Sequence, residues 1–284
     1  MAQKLTFVVL TLFAFSNAAP KVGIKNGEAA QLGDVPFIVS FFEGDDGWFC
    51  GGSLLNEHAI LTAAHCFEGS KDTSNIMVKA GFLSQMDKIE NTTHSRISSY
   101  KIHPQYDPRT ADNDIAIVKL STPIKEGSVI HYATLPEPES NLAVGAKLLV
   151  AGWGALDDQK GAARELQKVT VSVLPDRVCQ KGNKWTKNMF CAGSPEEQKD
   201  ACSGDSGGPI IDKLSKQLQG IVSYGMGGCG DGGAYTKVSN YIPFITEEMG
   251  EGNGQAKGQA KGQAKGQENP QEKTQEKTQE NTQE

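Results

Sequence analysis

The chain from residue 24 to residue 249 consists of short apolar runs that are separated by turn-forming residues. The runs are rich in Val, Ile and Phe, and they are bounded by Gly, Pro, Asp or Asn. Such runs predict β-strands joined by turns, and 32 glycines in the chain fit the many turns required. The clearest runs are 37–42, 76–80, 115–120, 147–151, 168–173, 209–212, 218–224 and 234–238. The sequence therefore predicts an all-β fold.

One segment with helical periodicity ends this region. In residues 241–249, the side chains of Phe244, Ile245 and Met249 can share one face, which predicts a short C-terminal helix. Roughly 225 residues lie between the two chain ends described next, and this length suits one large domain or two fused small barrels.

The N-terminal segment 1–18 has the features of a secretion signal. Lys4 precedes an apolar run at 5–15, and Ser16-Asn17-Ala18 provides a small-x-small cleavage site. The run is too short to span a bilayer, and no later segment is long and apolar enough to do so. We expect a secreted, extracellular protein with residues 19–23 as a short propeptide. The alternative is that 5–15 forms a buried strand or a short helix.

The C-terminal segment 250–284 has a different composition from the rest. It repeats Gly-Gln-Ala-Lys and later Gln-Glu-Lys-Thr, and it contains no Val, Ile, Leu or aromatic residue. Such a segment cannot bury enough apolar surface to offset the entropy of ordering, so we expect a disordered tail. A neutral spacer is the simplest interpretation of this tail, and a solubilising or surface-binding role is the alternative.

The cysteine count and the charge restrict the class of protein. Six cysteines in a secreted chain predict disulfides, although their spacing alone leaves the pairing open, and the lack of a CxxC pair argues against a zinc ribbon. The net charge is −6 without a dense basic patch, so a nucleic-acid partner has little electrostatic support. Asn91-Thr92-Thr93 is a glycosylation sequon, which makes Asn91 a candidate for glycosylation.

The motif Gly204-Asp205-Ser206-Gly207-Gly208-Pro209 indicates a nucleophile on a tight turn. Its glycines permit unusual backbone dihedrals, so the turn can expose the Ser206 hydroxyl. The same turn can direct the N–H groups of Gly204 and Ser206 to one point, as an oxyanion hole requires. The alternative is a glycine-rich hairpin without function.

A serine nucleophile needs a base, and the base needs an orienting group. Among the five histidines, only His65 follows an apolar run and precedes a cysteine, in Leu61-Thr62-Ala63-Ala64-His65-Cys66. Asp114 adjoins the apolar run 115–120, so its carboxylate can be carried inward, where it needs partners. The Nδ1–H of His65 is a suitable partner, and the hydroxyl of Ser223 is a second one.

With these motifs in the order His65, Asp114, Ser206, the chain resembles the trypsin and chymotrypsin family of serine proteases over residues 24–249. The resemblance implies two six-stranded antiparallel β-barrels with this catalytic triad in the cleft between them. It implies an oxyanion hole formed by Gly204 and Ser206. It also implies the disulfides Cys50–Cys66, Cys179–Cys191 and Cys202–Cys229.

The resemblance further implies a specificity pocket. Asp200 corresponds to the pocket floor, where a desolvated carboxylate selects a cationic side chain. Ser223, Gly225 and Gly233 correspond to substrate-binding positions, and the two glycines leave room for a long cation. Ala201 has no hydroxyl to bind a Lys ammonium, so we expect cleavage after Arg and, less well, after Lys.

In this family, activation cleaves the chain and the new amino terminus pairs with the Asp before the nucleophile. The corresponding residues here are Ile24 and Asp205. The residue before the cleaved bond is Gly23, whereas relatives usually carry Arg or Lys there, so we expect poor self-activation. Cleavage after Lys21 followed by trimming is the alternative.

The sequence thus predicts a monomeric secreted endopeptidase that acts without a cofactor or metal. Its loop 81–87 lacks the acid-rich pattern that calcium binding requires. Its expected partners are protein or peptide substrates with Arg or Lys, and protease inhibitors. We expect it to bind neither nucleic acid nor a membrane. The alternative is a catalytically silent binding protein on the same scaffold. Two features are consistent with it: Gly23 before the activation bond and the short pocket loop 230–232. Asp200 argues against a chymotrypsin-like or elastase-like selectivity.

Overall fold

The structure, a computed structural model, describes residues 24–44, 47–69, 72–88, 92–157, 161–180 and 184–250. The predicted secretion signal at 1–18, the propeptide at 19–23, the sequon residue Asn91 and the tail from residue 251 onward lie outside the described residues. Within the described ranges, no helix is long and apolar enough to cross a membrane.

The first half of the described chain forms a closed barrel. A short strand β1 (Glu28–Ala29) precedes it and belongs to the other half of the molecule. The barrel strands are connected in the order β2-β3-β4-β7-β6-β5, and every pairing is antiparallel. These strands are β2 (Ile38–Glu43), β3 (Trp48–Asn56), β4 (Ala59–Thr62), β5 (Ile76–Ala80), β6 (Thr93–Ile102) and β7 (Ala116–Leu120).

The second half forms another antiparallel barrel. Its strands follow the order β9-β10-β13-β12-β11-β8, a pairing between β8 and β9 closes it, and β1 is added alongside β9. These strands are β8 (Lys147–Gly152), β9 (Gln167–Leu174), β10 (Met189–Gly193), β11 (Pro209–Asp212), β12 (Leu218–Gly225) and β13 (Gly233–Lys237). The prediction of two six-stranded antiparallel barrels is confirmed.

Helices are short in the described residues. The C-terminal helix predicted for 241–249 is present as α2 (Ile242–Gly250), which follows a 3-10 turn at Val238–Tyr241. The sequence did not predict α1 (Asp176–Cys179) or the 3-10 turns at Ala64–Phe67 and Pro195–Glu197. These segments are only three or four residues long, so they show too little periodicity to be detected from sequence.

Alternating burial explains how the barrels fill. Along β9, Val169, Val171 and Val173 point into the second barrel, while Lys168 and Thr170 are more exposed. Because side chains alternate between the two faces of a strand, this pattern places one face in the core. In the first barrel, Phe41 and Phe67 are fully buried with an edge-to-face contact at 5.3 Å between ring centroids.

Three disulfides are present, and their pairs match those that the resemblance implies. They join Cys50 to Cys66, Cys179 to Cys191 and Cys202 to Cys229. The first lies in the first barrel and the other two lie in the second. Each bridge connects a loop or short helix to a neighbouring segment, so it reduces the conformational freedom of the unfolded chain.

Candidate active site

His65 lies on the 3-10 turn Ala64–Phe67, directly after β4. The neighbours Ala64 and Phe67 are fully buried, and the disulfide of Cys66 to Cys50 ties the turn to β3. The turn is therefore fixed on both sides, and it holds the imidazole, which is only partly buried, at the edge of the first barrel.

Asp114 is fully buried in the connection between β6 and β7. Its carboxylate accepts hydrogen bonds from His65 N at 2.9 Å, from His65 Nδ1 at 2.8 Å and from Ser223 Oγ at 2.6 Å. Its backbone carbonyl accepts a hydrogen bond from Thr236 Oγ1 at 2.8 Å. Ser223 and Thr236 belong to the second barrel, so Asp114 lies where the two barrels meet.

The contact with Asp114 changes the basicity of His65. Burial lowers the pKa of His65, but the hydrogen bond and the negative charge of Asp114, helped by the charge of Glu68, outweigh burial and raise this pKa above its ordinary value. Because an ionised carboxylate can only accept, Nδ1 carries the proton and Nε2 is left free to accept one. The arrangement suits a general base.

Ser206 lies in the tight turn before β11. Gly204 has φ of 97° and Gly207 has φ of 77°, which side chains rarely adopt. A Cβ on Gly207 would lie 2.3 Å from Thr62 Oγ1, so the turn also packs too closely for any larger residue. The carbonyl of Ser206 accepts a hydrogen bond from Gly51 N at 2.8 Å. The turn therefore lies against the strand that carries Cys50, the disulfide partner of Cys66 next to His65.

The backbone N–H groups of Gly204 and Ser206 are available as donors. In the described part of the chain, neither N–H donates to a protein acceptor. The neighbouring Asp205 is buried, and its carboxylate accepts hydrogen bonds from Gly154 N at 2.7 Å and Cys202 N at 2.9 Å. Burial raises the pKa of Asp205 to about 6, and these two bonds partly oppose that shift.

In the part of the chain that the structure describes, no hydrogen bond joins the hydroxyl of Ser206 to the imidazole of His65. Such contacts are often long in free enzymes and tighten when substrate binds. The structure thus brings both residues to the seam between the barrels without a direct hydrogen bond between them.

A pocket of about 210 Å³ lies beside Ser206. Asp200 is 1% exposed within its lining, and its Oδ1 accepts hydrogen bonds from Ala201 N at 2.8 Å and Tyr235 OH at 3.1 Å. Burial raises the pKa of Asp200 to about 7, and the hydrogen bonds partly oppose this effect. The lining includes the expected residues Asp200, Ser206, Ser223, Gly225 and Gly233.

Sequence reasoning missed two residues that support this site, Tyr235 and Thr236 on β13. Tyr235 donates to Asp200, and Thr236 donates to the carbonyl of Asp114. Both side chains are buried, although each has a polar group. The only signal in the sequence is the presence of hydroxyl groups in a buried strand, because a buried hydroxyl needs a partner.

Cys50, His65 and Cys66 are the one group of potential metal ligands that lies close together among the described residues. The two cysteines form a disulfide, so neither offers the thiolate that a metal would need. Their proximity is explained by the disulfide that fixes the turn of His65.

Several known proteins are similar to this chain. A family model described as Trypsin matches residues 24–245, a range that contains both barrels. A protein named Trypsin from Phaedon cochleariae is 38% identical over 237 residues, which cover 81% of this chain and 89% of that protein. Cationic trypsin-3 from Rattus norvegicus is 39% identical over 80% of this chain and 89% of its own length. Serine protease 1 from Homo sapiens is 38% identical over 84% of this chain and 95% of its own length.

The raised pKa of Asp200 predicts a pH-dependent cost to stability. The pKa is about 7 in the folded chain against an ordinary 3.8, so the folded state retains a proton that the unfolded chain releases. Below about pH 4, the carboxyl group is therefore without effect on the free energy of unfolding. As the pH rises to 7, it lowers this free energy progressively. In a Ser206→Ala background that prevents self-digestion, Asp200→Asn should raise the free energy of unfolding at pH 8, by at most about 4 kcal/mol, and not at pH 4.

Denaturant unfolding at the two pH values measures this difference. Glu247→Gln, which changes an exposed acid on α2, is the control and should show no pH-dependent gain. Equal effects of Asp200→Asn at pH 4 and pH 8 would contradict the prediction.

Proposed function

The chain belongs to the trypsin family of serine endopeptidases, and we propose that it is secreted and cleaves peptide bonds after Arg, and less well after Lys, through an acyl-enzyme on Ser206. The observation that carries this proposal is the buried carboxylate of Asp200 in the pocket that Ser206 also lines. A cation-selective pocket and a nucleophile then act on the same bound residue.

The proposed reaction uses the residues in fixed roles. His65 takes the proton from Ser206 Oγ as that oxygen attacks the scissile carbonyl carbon, and Asp114 orients and stabilises the resulting imidazolium. The N–H groups of Gly204 and Ser206 stabilise the oxyanion. His65 then returns the proton to the leaving amine, and water releases the acyl group by the same steps. No cofactor takes part in these steps.

Selectivity for Arg follows from the charge and hydrogen bonds of Asp200. The Tyr235 hydroxyl and the Ala201 N–H already donate to Oδ1, and a substrate guanidinium would add the missing positive charge. Any uncharged side chain would leave the carboxylate without a counterion in a buried site. The proposed partners are accordingly proteins or peptides with Arg or Lys, and protease inhibitors that present the same side chains.

Activation by cleavage of the Gly23–Ile24 bond is part of the proposal. The side chain of Ile24 is fully buried against the core of the second barrel, yet its φ is 35°, a strained value for a β-branched residue. This dihedral depends on the peptide bond from Gly23, so cleavage there removes the strain. The freed ammonium is a suitable counterion for Asp205, which is buried without one among the described residues.

An active-site probe distinguishes an enzyme from a silent binding protein. A fluorophosphonate reacts with a serine that an adjacent base activates, so the processed protein should be labelled on Ser206. Ser206→Ala should abolish labelling, whereas Ser203→Ala, an exposed serine on the same loop, should retain it. Processed protein that takes no label would support the silent binding protein instead.

Paired substrates test the Arg preference. On matched peptide amides, the native enzyme should have a kcat/KM about tenfold higher for Arg than for Lys. Ala201→Ser should reduce this ratio severalfold, because the new hydroxyl can bind a Lys ammonium. Asp200→Asn should lose activity on both substrates. Comparable native rates on Arg and Lys would refute the preference.

Sequencing the amino terminus of the active form tests the activation site. We expect the first residue to be Ile24, and a Gly23→Arg variant should activate itself faster than the native protein, because it offers the enzyme its own preferred residue. An active form that begins at another residue, or a variant that does not activate itself faster, would contradict cleavage at the Gly23–Ile24 bond.

A further inference from the structure

Lys79 on β5 is a buried cation that has no role in the proposed reaction. It is 7% exposed, its ammonium lies 3.8 Å from the centroid of the Phe42 ring, and it donates to the carbonyl oxygen of Asp87 at 3.3 Å. Burial lowers the pKa of Lys79, and the charge of Asp87 opposes this shift. Because burying an ammonium is costly, these contacts identify Lys79 as a fixed structural cation.

The contacts of Lys79 converge on one loop, residues 82–87, which we call the clamp loop. At its end, the Asp87 carbonyl accepts the hydrogen bond from the ammonium. At its start, the Phe82 ring centroid lies 5.8 Å from the same ammonium, within the range of a cation–π interaction. Lys79 therefore fixes both ends of the clamp loop from the side of the first barrel.

The clamp loop also binds the second barrel. Phe82 stacks on Trp153, with ring centroids 4.7 Å apart and an interplanar angle of 8°. The indole N–H of Trp153 donates to the Leu83 carbonyl at 2.8 Å, and Gln85 N donates to the Arg164 carbonyl at 2.7 Å. A single loop thus joins Lys79 to the segment that begins at Trp153.

That segment holds the loop of the nucleophile in place. Gly154, which follows Trp153, donates its N–H to Asp205 Oδ1 at 2.7 Å. Ala155 N donates to the carbonyl of Ser203 at 2.7 Å. A Cβ on Gly204 would lie 3.2 Å from Gly154 Cα, so the two backbones are in contact. A shift of this segment would move the oxyanion donors.

We propose that Lys79 is a positioning residue for the oxyanion hole, and that its ammonium acts through the clamp loop and Gly154 on the N–H groups of Gly204 and Ser206. Lys79 touches no reacting atom. The inference rests on the acyl transfer at Ser206 proposed above, and it does not depend on the preference for Arg.

The test compares Lys79→Met, which keeps the side-chain length and removes the charge, with two other variants. Lys79→Arg retains a cation that can stack on Phe42 and should restore function. Lys101→Met changes an exposed lysine on the neighbouring β6 and is the matched control. Each processed enzyme is titrated for active sites, so that misfolded protein does not enter the rates.

The measurements separate the oxyanion hole from the pocket. For an arginine amide, Lys79→Met should lower kcat about tenfold and leave KM within about twofold, because the oxyanion develops only in the transition state. A peptide arginal, whose carbonyl carbon bonds to Ser206 Oγ and whose oxygen enters the oxyanion hole, should bind about tenfold more weakly. Benzamidine, which fills only the pocket, should bind unchanged. Lys79→Arg should recover most of the loss, and Lys101→Met should match the native enzyme.

Retention of kcat within about twofold in Lys79→Met, or equal weakening of the arginal and benzamidine, would overturn the inference. If Lys79→Met does not fold, Phe82→Leu replaces it in the test, because this variant removes the ring that contacts both Lys79 and Trp153. Phe82→Leu must then show the same selective loss of kcat for the inference to stand. An inactive native enzyme would overturn the proposed function together with this inference. An active native enzyme with an unaffected variant would overturn the inference alone.

Discussion

The burial of Asp114 between the barrels is the interaction on which the rest of the site depends. A carboxylate removed from water is stable only when donors satisfy its oxygens. Here the donors come from His65, on a loop of the first barrel, and from Ser223, on a strand of the second. The barrels must therefore meet in one orientation, and this same orientation brings the turn of Ser206 against the strand that anchors His65 through a disulfide.

Three buried carboxylates of the described chain, Asp114, Asp200 and Asp205, differ in how fully neighbouring groups compensate their charge. Asp114 has an imidazole that can become positively charged. In the part of the chain that the structure describes, Asp200 and Asp205 have only neutral donors, and burial raises the pKa of each, to about 7 and about 6. A buried carboxylate with only neutral donors gains most from a cation that arrives later. In the proposed function, those cations are the substrate guanidinium at Asp200 and the freed ammonium of Ile24 at Asp205.

Local signals in the sequence were sufficient to predict an all-β fold, whereas the arrangement of its strands in two barrels was implied only by the resemblance. Apolar runs bounded by turn residues located most strands, and the glycines around Ser206 indicated a turn whose φ values side chains rarely adopt. The pairing of His65 with Asp114 was inferred from the need of a buried carboxylate for a donor, and the resemblance to a known family supported it, since no local signal joins residues so far apart in the chain. The donor Tyr235 was missed because its strand has the composition of ordinary core, and no local pattern indicates that its hydroxyl lies beside Asp200.

Lys79 shows why the remaining features could not be predicted. In a strand that alternates its faces, a lysine beside Val78 and Ala80 is expected to point to solvent. Its burial arises from the clamp loop, which follows β5 and covers the lysine as it reaches Trp153 in the second barrel. The environment of Lys79 therefore combines Phe42 of the first barrel with a loop that a contact between the two barrels holds in place. Such a contact depends on how two complete folding units pack, and no sequence pattern within either one encodes it.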